Sequence, residues 1–174
     1  MNKSQIKEIL MQEKQLNGCG GTFVRQLMLI LVRHPYYLRY KFIKYMRLCN
    51  YYETGLLHYW YFRKKNHIGN LLGYEIHGEN IGPYLTLFHN GPIVINRKAI
   101  LGSYCKLHGD NCIGNNGVTE DCPEIGDNVD IGVGAKILGN VHIADNIKIG
   151  GGAVVVSDFL EKGITIGGIP AKKI

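Results

Sequence analysis

The chain has 174 residues, 45% hydrophobic and 20% charged, the ordinary makeup of a globular domain with room for a core and a small appendage. Its net charge of +6 is divided: residues 1–70 carry 12 Lys/Arg against three Glu, and residues 71–174 carry 8 against 11 acids. The five cysteines (19, 49, 105, 112, 122) are odd in number and none are in C-x-x-C spacing, which argues against a disulfide framework or a zinc knuckle and for a reducing, cytoplasmic setting.

No cleavable leader pattern stands at the N-terminus. From Ser4 to about Lys65 apolar residues fall at helical spacing (Ile6, Ile9, Leu10, then Phe23, Leu27, Ile30, Leu31). The break at 17–21 (NGCGG) and Pro35 divide this stretch into helices near 3–16, 22–33 and 35–49, with a fourth over 54–66. The most apolar run, 23–32, is ten residues long and contains Arg25; it is about half of what a bilayer span needs, so it reads as a core helix. Over 36–64, Tyr, Phe and Trp interleave with Arg and Lys. Aromatics packed on the second half with solvated charge outside is the preferred reading; a patch against anionic lipid or a lipid-linked substrate is the alternative. Nothing in the segment forms a nucleic-acid motif.

After Gly69 glycine becomes frequent; the chain's 23 are about 13% of it, roughly twice the usual share. From Ile95 the period is six: Ile95, Leu101, Leu107, Ile113, then Ile125, Ile131, Ile137, Ile143, Ile149 and Val155 hold one register, with only the slot at 119 missed. Four residues after most of these stands a small or apolar residue (Ala99, Cys105, Val129, Ala135, Val141, Ile147, Ala153). No helix has this period. Short parallel strands coiled three to a turn, each aliphatic pointing into one narrow core, satisfy it. The unpatterned stretch 115–124 (NNGVTEDCPE) is then a loop thrown out from one corner.

The repeats, the string IGVGAKILGNVHIADNIKIGGGAVV and the ending GGIPAKKI resemble the hexapeptide-repeat acyltransferases, over about residues 71–174. Within them the chain is similar to the serine acetyltransferase-like branch, which includes O-acetyltransferases of capsular and other surface polysaccharides. The resemblance implies a mainly β fold: a left-handed parallel β-helix over 71–174, preceded by a helical segment over 1–70, assembled as a homotrimer. It also implies acetyl-CoA as acyl donor and no metal.

By the same resemblance His89, in LTLFHNGPIVIN, is the base that takes the acceptor's proton, and Glu75, in YEIHG, the carboxylate that orients it. Imidazole suits the first task because it titrates near neutrality. The spacing is 14, one short of the family's usual, and Glu stands in place of Asp. Pantetheine is expected at Val133, Gly151, Val156 and Ser157, and phosphate at Lys172. Phe88, His108 and Asp121 are candidates for the acceptor site. True serine acetyltransferases carry Arg-His before a proline in the corner loop and an Asp before the catalytic histidine; here those places read Asp121-Cys122-Pro123 and Phe88. The loss of a carboxylate-binding arginine and the apolar ring favour a sugar hydroxyl, free or lipid-linked, with serine as the alternative acceptor. A peripheral membrane contact through the basic segment fits a lipid-linked acceptor. A zinc hydratase on the same repeats would need converging imidazoles, which the histidine spacing does not supply. A non-catalytic trimeric scaffold is the alternative of another class.

Overall fold

A computed structural model describes residues 2–174. Four helices come first: α1 (Lys3–Leu16), α2 (Phe23–Leu31), α3 (Pro35–Tyr52) and α4 (Gly55–Leu72). Their starts follow local chemistry. Asn2 and Gln5 form a reciprocal cap on α1, Thr22 accepts from the Arg25 amide, and Pro35 occupies the first turn of α3. Gly73, in the left-handed conformation at φ 80°, ends α4. None of these helices is long and apolar enough to cross a membrane.

The rest coils. The first turn holds β1 (Tyr74–Ile76) and β2 (Thr86–Leu87); the second β3 (Ile93–Ile95), β4 (Ile100–Leu101) and β5 (Lys106–Leu107). The third holds β6 (Asn111–Gly114), β7 (Glu124–Ile125) and β8 (Asp130–Ile131), and the fourth β9 (Lys136–Leu138), β10 (His142–Ile143) and β11 (Lys148–Ile149). The last has β12 (Val154–Val155), β13 (Thr165–Gly167) and β14 (Lys172–Lys173). Strands stack into three faces: β1-β3-β6-β9-β12, β4-β7-β10, and β2-β5-β8-β11-β13, with β14 closing the last antiparallel. All other pairs are parallel. This is a left-handed parallel β-helix with N-terminal helices.

All ten register aliphatics, Ile95 to Val155, are buried in one cluster. Each contributes about 1.5–3 kcal/mol relative to exposure. The stretch 115–123 leaves the end of β6 and returns at β7, so the coil loses no rung to it.

The helices close the upper end of the coil. Phe42, Ile43, Met46, Ile68 and Leu72 join the coil's own cluster. Their polar groups meet backbone that has no strand above it. Asn17 Nδ2 donates to the Leu85 carbonyl and Asn17 Oδ1 accepts from the Leu87 amide, both at 2.9 Å, so one side-chain amide stands in for a missing strand. The buried Glu13 carboxylate accepts from the Tyr84 and Leu85 amides and from Arg47, whose guanidinium donates onward to the Ile81 and Gly82 carbonyls. Lys65 Nζ and Asn50 Nδ2 take the Ile76 and Gly78 carbonyls. An open strand edge is thereby satisfied.

The expectation that 23–32 packs in the core fails. No residue of α2 is buried; Phe23 is 79% and Leu31 72% exposed. The coil's end is already filled from α3 and α4, and α2 touches α3 along one edge only, where Leu29 and Ile30 line a cavity with Tyr37 and Tyr40. The aromatics of 36–64 divide likewise: Phe42 is buried, whereas Tyr59 and Trp60 are exposed.

Candidate active site

The edge leading from the β2-β5-β8-β11 face to the β1-β3-β6-β9-β12 face carries half of the anticipated site residues. In lower coils, six residues separate the inward aliphatics across this edge: Leu107 to Ile113, Ile131 to Ile137, Ile149 to Val155. At the top the step from Leu87 to Ile95 takes eight, and the two extra residues push out a corner that contains His89. Gly91, at φ 125°, permits the detour, and its amide donates to the Leu72 carbonyl at 3.0 Å. Tyr74 Oη donates to the His89 carbonyl at 2.7 Å, and Arg39 Nη1 to Asn90 Oδ1 at 3.0 Å. The corner's backbone is thus held from both sides while the His89 side chain stays exposed, with no hydrogen-bond partner among the described residues. Burial in apolar surroundings raises the Tyr74 hydroxyl above its ordinary value and depresses Arg39.

One coil lower, His108 occupies the same edge. Its ring stacks on Phe88 with centroids 4.4 Å apart and planes at 13°. Its Nε2 lies 2.8 Å from Asp130 Oδ1. Gly109 follows with φ 103°, and a Cβ there would sit 3.4 Å from the His89 Cβ, so the two histidine-bearing corners are in contact. Val133, 57% exposed, lies one coil further down and Gly151 two. They are tied by the Gly152 amide to the Val133 carbonyl at 2.8 Å. A Cβ on Gly132 would lie 2.6 Å from the Gly151 nitrogen, so glycine lets the two coils approach closely here, with the Val133 side chain standing out beside them. At about 4.8 Å per coil, His89 stands roughly 10 Å above Val133 and 14 Å above Gly151.

Phe88, His89, His108, Val133 and Gly151 are therefore brought onto one edge. The other anticipated residues are not. Glu75 points out from the middle of β1, in register with Val94, and lines a groove with His77, Asn96 and Arg97. No hydrogen bond or ion pair joins it to His89 among the described residues. Val156 and Ser157 follow β12, at the opposite edge of the same face. Asp121 is exposed in the 115–123 loop, which leaves from that opposite edge and is tied back by an ion pair from Lys98 to Glu120. Lys172 is exposed on β14, paired with Gly167. Cys122 is buried in the loop and its thiol is pushed up by burial, which disfavours the thiolate.

Three contributors escaped the sequence reading: Tyr74, Arg39 and Asp130. The signal for Asp130 was present. It precedes the inward Ile131 and so faces outward, and once the loop is allowed for it stacks directly below Lys106, two residues from His108. Arg39 had no such signal, because its partner lies 51 residues away on an irregular corner.

No family model matches the chain. It is similar to a serine acetyltransferase of Synechococcus elongatus, 37% identical over 116 residues that make up 64% of this chain and 47% of the relative. The chain thus spans about half the length of that curated relative. Among solved structures, the soybean serine acetyltransferase apoenzyme matches 99% of this chain and 70% of its own, at a TM-score of 0.79 and 23% identity. Serine acetyltransferase from Brucella abortus in complex with coenzyme A matches 99% and 68%, at a TM-score of 0.77 and 22% identity. In sequence over about two thirds of its length, and in fold over nearly all of it, the chain is similar to serine acetyltransferases.

Proposed function

We propose that the protein is an acetyl-CoA-dependent O-acetyltransferase with His89 as its base. One observation carries this reading: an exposed imidazole, unpartnered among the described residues, crowns an edge whose lower coils turn on Gly132, Gly134, Gly150, Gly151 and Gly152. A thin pantetheine arm can lie against such backbone and bond its amides, which bulkier corners would prevent. His89 takes the acceptor's hydroxyl proton as that oxygen attacks the thioester carbonyl. The carbon–sulfur bond then breaks, and the imidazolium returns the proton to the departing thiolate. Glu75 is assigned as the orienting carboxylate by the resemblance alone, since no hydrogen bond joins it to His89 among the described residues.

The anticipated cofactor residues lie on two edges of one face. In a homotrimer the Val133–Gly151 edge of one subunit would meet the Val156–Ser157 edge of the next, with Lys172 toward the phosphates. The likeness to serine acetyltransferases makes L-serine the first acceptor to test. A sugar hydroxyl is the second reading, favoured by Phe88 and by Asp121-Cys122 in place of Arg-His.

Thiol release from acetyl-CoA, measured with L-serine and with a panel of sugars, tests both. His89→Ala should lower kcat by about 10²–10⁴ while leaving the melting temperature unchanged. Turnover with sugars alone selects the second acceptor. Undiminished transfer by the His89 variant would sink the mechanism.

A further inference from the structure

Beside His89 the structure builds a second imidazole that the mechanism above does not use. His108 Nε2 lies 2.8 Å from Asp130 Oδ1, with the two side chains 33% and 30% exposed. A carboxylate only accepts, so Nε2 carries a hydrogen; in the neutral ring Nδ1 then offers a lone pair, which has no partner among the described residues. Phe88 clamps the ring from one side in a near-parallel stack. Lys106 and Lys148 stand in register with Asp130 on the strands above and below it. The ring is therefore fixed in plane, tautomer and position. It stands one coil below His89, on a corner whose Gly109 abuts the His89 Cβ.

We infer that His108 is an acceptor-binding residue, and Asp130 its positioning residue. Nδ1 accepts a hydrogen bond from a donor group next to the hydroxyl that is acetylated. That donor is an ammonium in an amino-acid acceptor and a vicinal hydroxyl in a sugar. The inference rests on the acetyltransfer reading and deepens it. No cation is required at His108, because a neutral Nδ1 accepts from either donor.

The test is steady-state kinetics of the full chain with each acceptor that turns over, beside its analogue lacking the adjacent donor: 3-hydroxypropanoate for L-serine, the neighbouring-deoxy sugar for a glycoside. His108→Ala should raise the acceptor KM about tenfold, with the KM for acetyl-CoA within about twofold of wild type. Asp130→Ala should raise it less, because the ring stays but its tautomer is released. His108→Gln, which keeps an acceptor oxygen, should recover part of the loss. Toward the analogues, the His108→Ala effect should vanish. Acceptor KM values unchanged in His108→Ala, or KM values for both substrates raised alike, would overturn the inference while leaving acetyl transfer intact. A wild-type chain that releases no thiol with any acceptor overturns the acetyltransfer reading, and this inference falls with it.

Discussion

A corner histidine becomes a presented one only if something holds its backbone while releasing its side chain. Tyr74 does the first part. Its ring packs edge-on against Phe42, 5.2 Å between centroids, and its hydroxyl reaches the His89 carbonyl. Tyr74→Phe keeps the ring and deletes only that bond. A neutral hydrogen bond is worth about 1 kcal/mol net, so the urea midpoint should drop by that equivalent. The loosened corner should also lower kcat about tenfold, with the acetyl-CoA KM unmoved, since small displacements of a reacting group are costly. A variant with normal kcat would show that the corner holds its shape without this bond. Arg39 serves the same corner through Asn90, at the expense of a buried Nε with no partner among the described residues.

At the scale of elements, the helices act as a lid on an open strand edge, and the Glu13–Arg47 pair is its centre. Glu13 is fully buried and Arg47 nearly so, and between them they satisfy two amides and two carbonyls of the first coil. Glu13→Gln leaves a buried guanidinium without its counter-charge, so unfolding free energy should fall by about 3–5 kcal/mol. Equilibrium denaturation measures this, and a loss below about 1 kcal/mol would show that α1 is not part of the cap. The sequence could not show the pair, whose members lie 34 residues apart on two helices without shared periodicity. The six-residue coil was legible because each turn restates the last. Its reading began only at Ile95 because Ile76 to Ile81 is one residue short of six and Leu87 to Ile95 two long. That is where the chain leaves the repeat to raise His89. The helix over 23–32 shows the converse limit: apolar spacing announces a helix, yet it does not say whether any neighbour has surface left to cover it.

The whole molecule folds around groups that it keeps protonated. Burial raises the Cys105 thiol from 9.0 to about 11 and the Tyr40 hydroxyl from 10.0 to about 12, and lifts Tyr74 as well. Below pH 9 both the folded and the unfolded chain hold the Cys105 proton, and its contribution to stability is complete. Above pH 9 the unfolded chain releases it while the folded chain keeps it to about 11, so the unfolded state binds fewer protons and stability falls as pH rises. The tyrosines act in the same sense from pH 10 upward. Lys65 and Arg39, depressed by burial, act in the opposite sense, so the informative quantity is a difference between variants. Cys105 is fully buried on the inward side of the coil. Cys105→Ala should flatten the fall in urea-derived stability between pH 9 and 11 by up to about 1.4 kcal/mol per pH unit. Parallel curves for the variant and the wild type would mean that the thiol ionises as easily inside the coil as in the unfolded chain, which a dry aliphatic core does not allow.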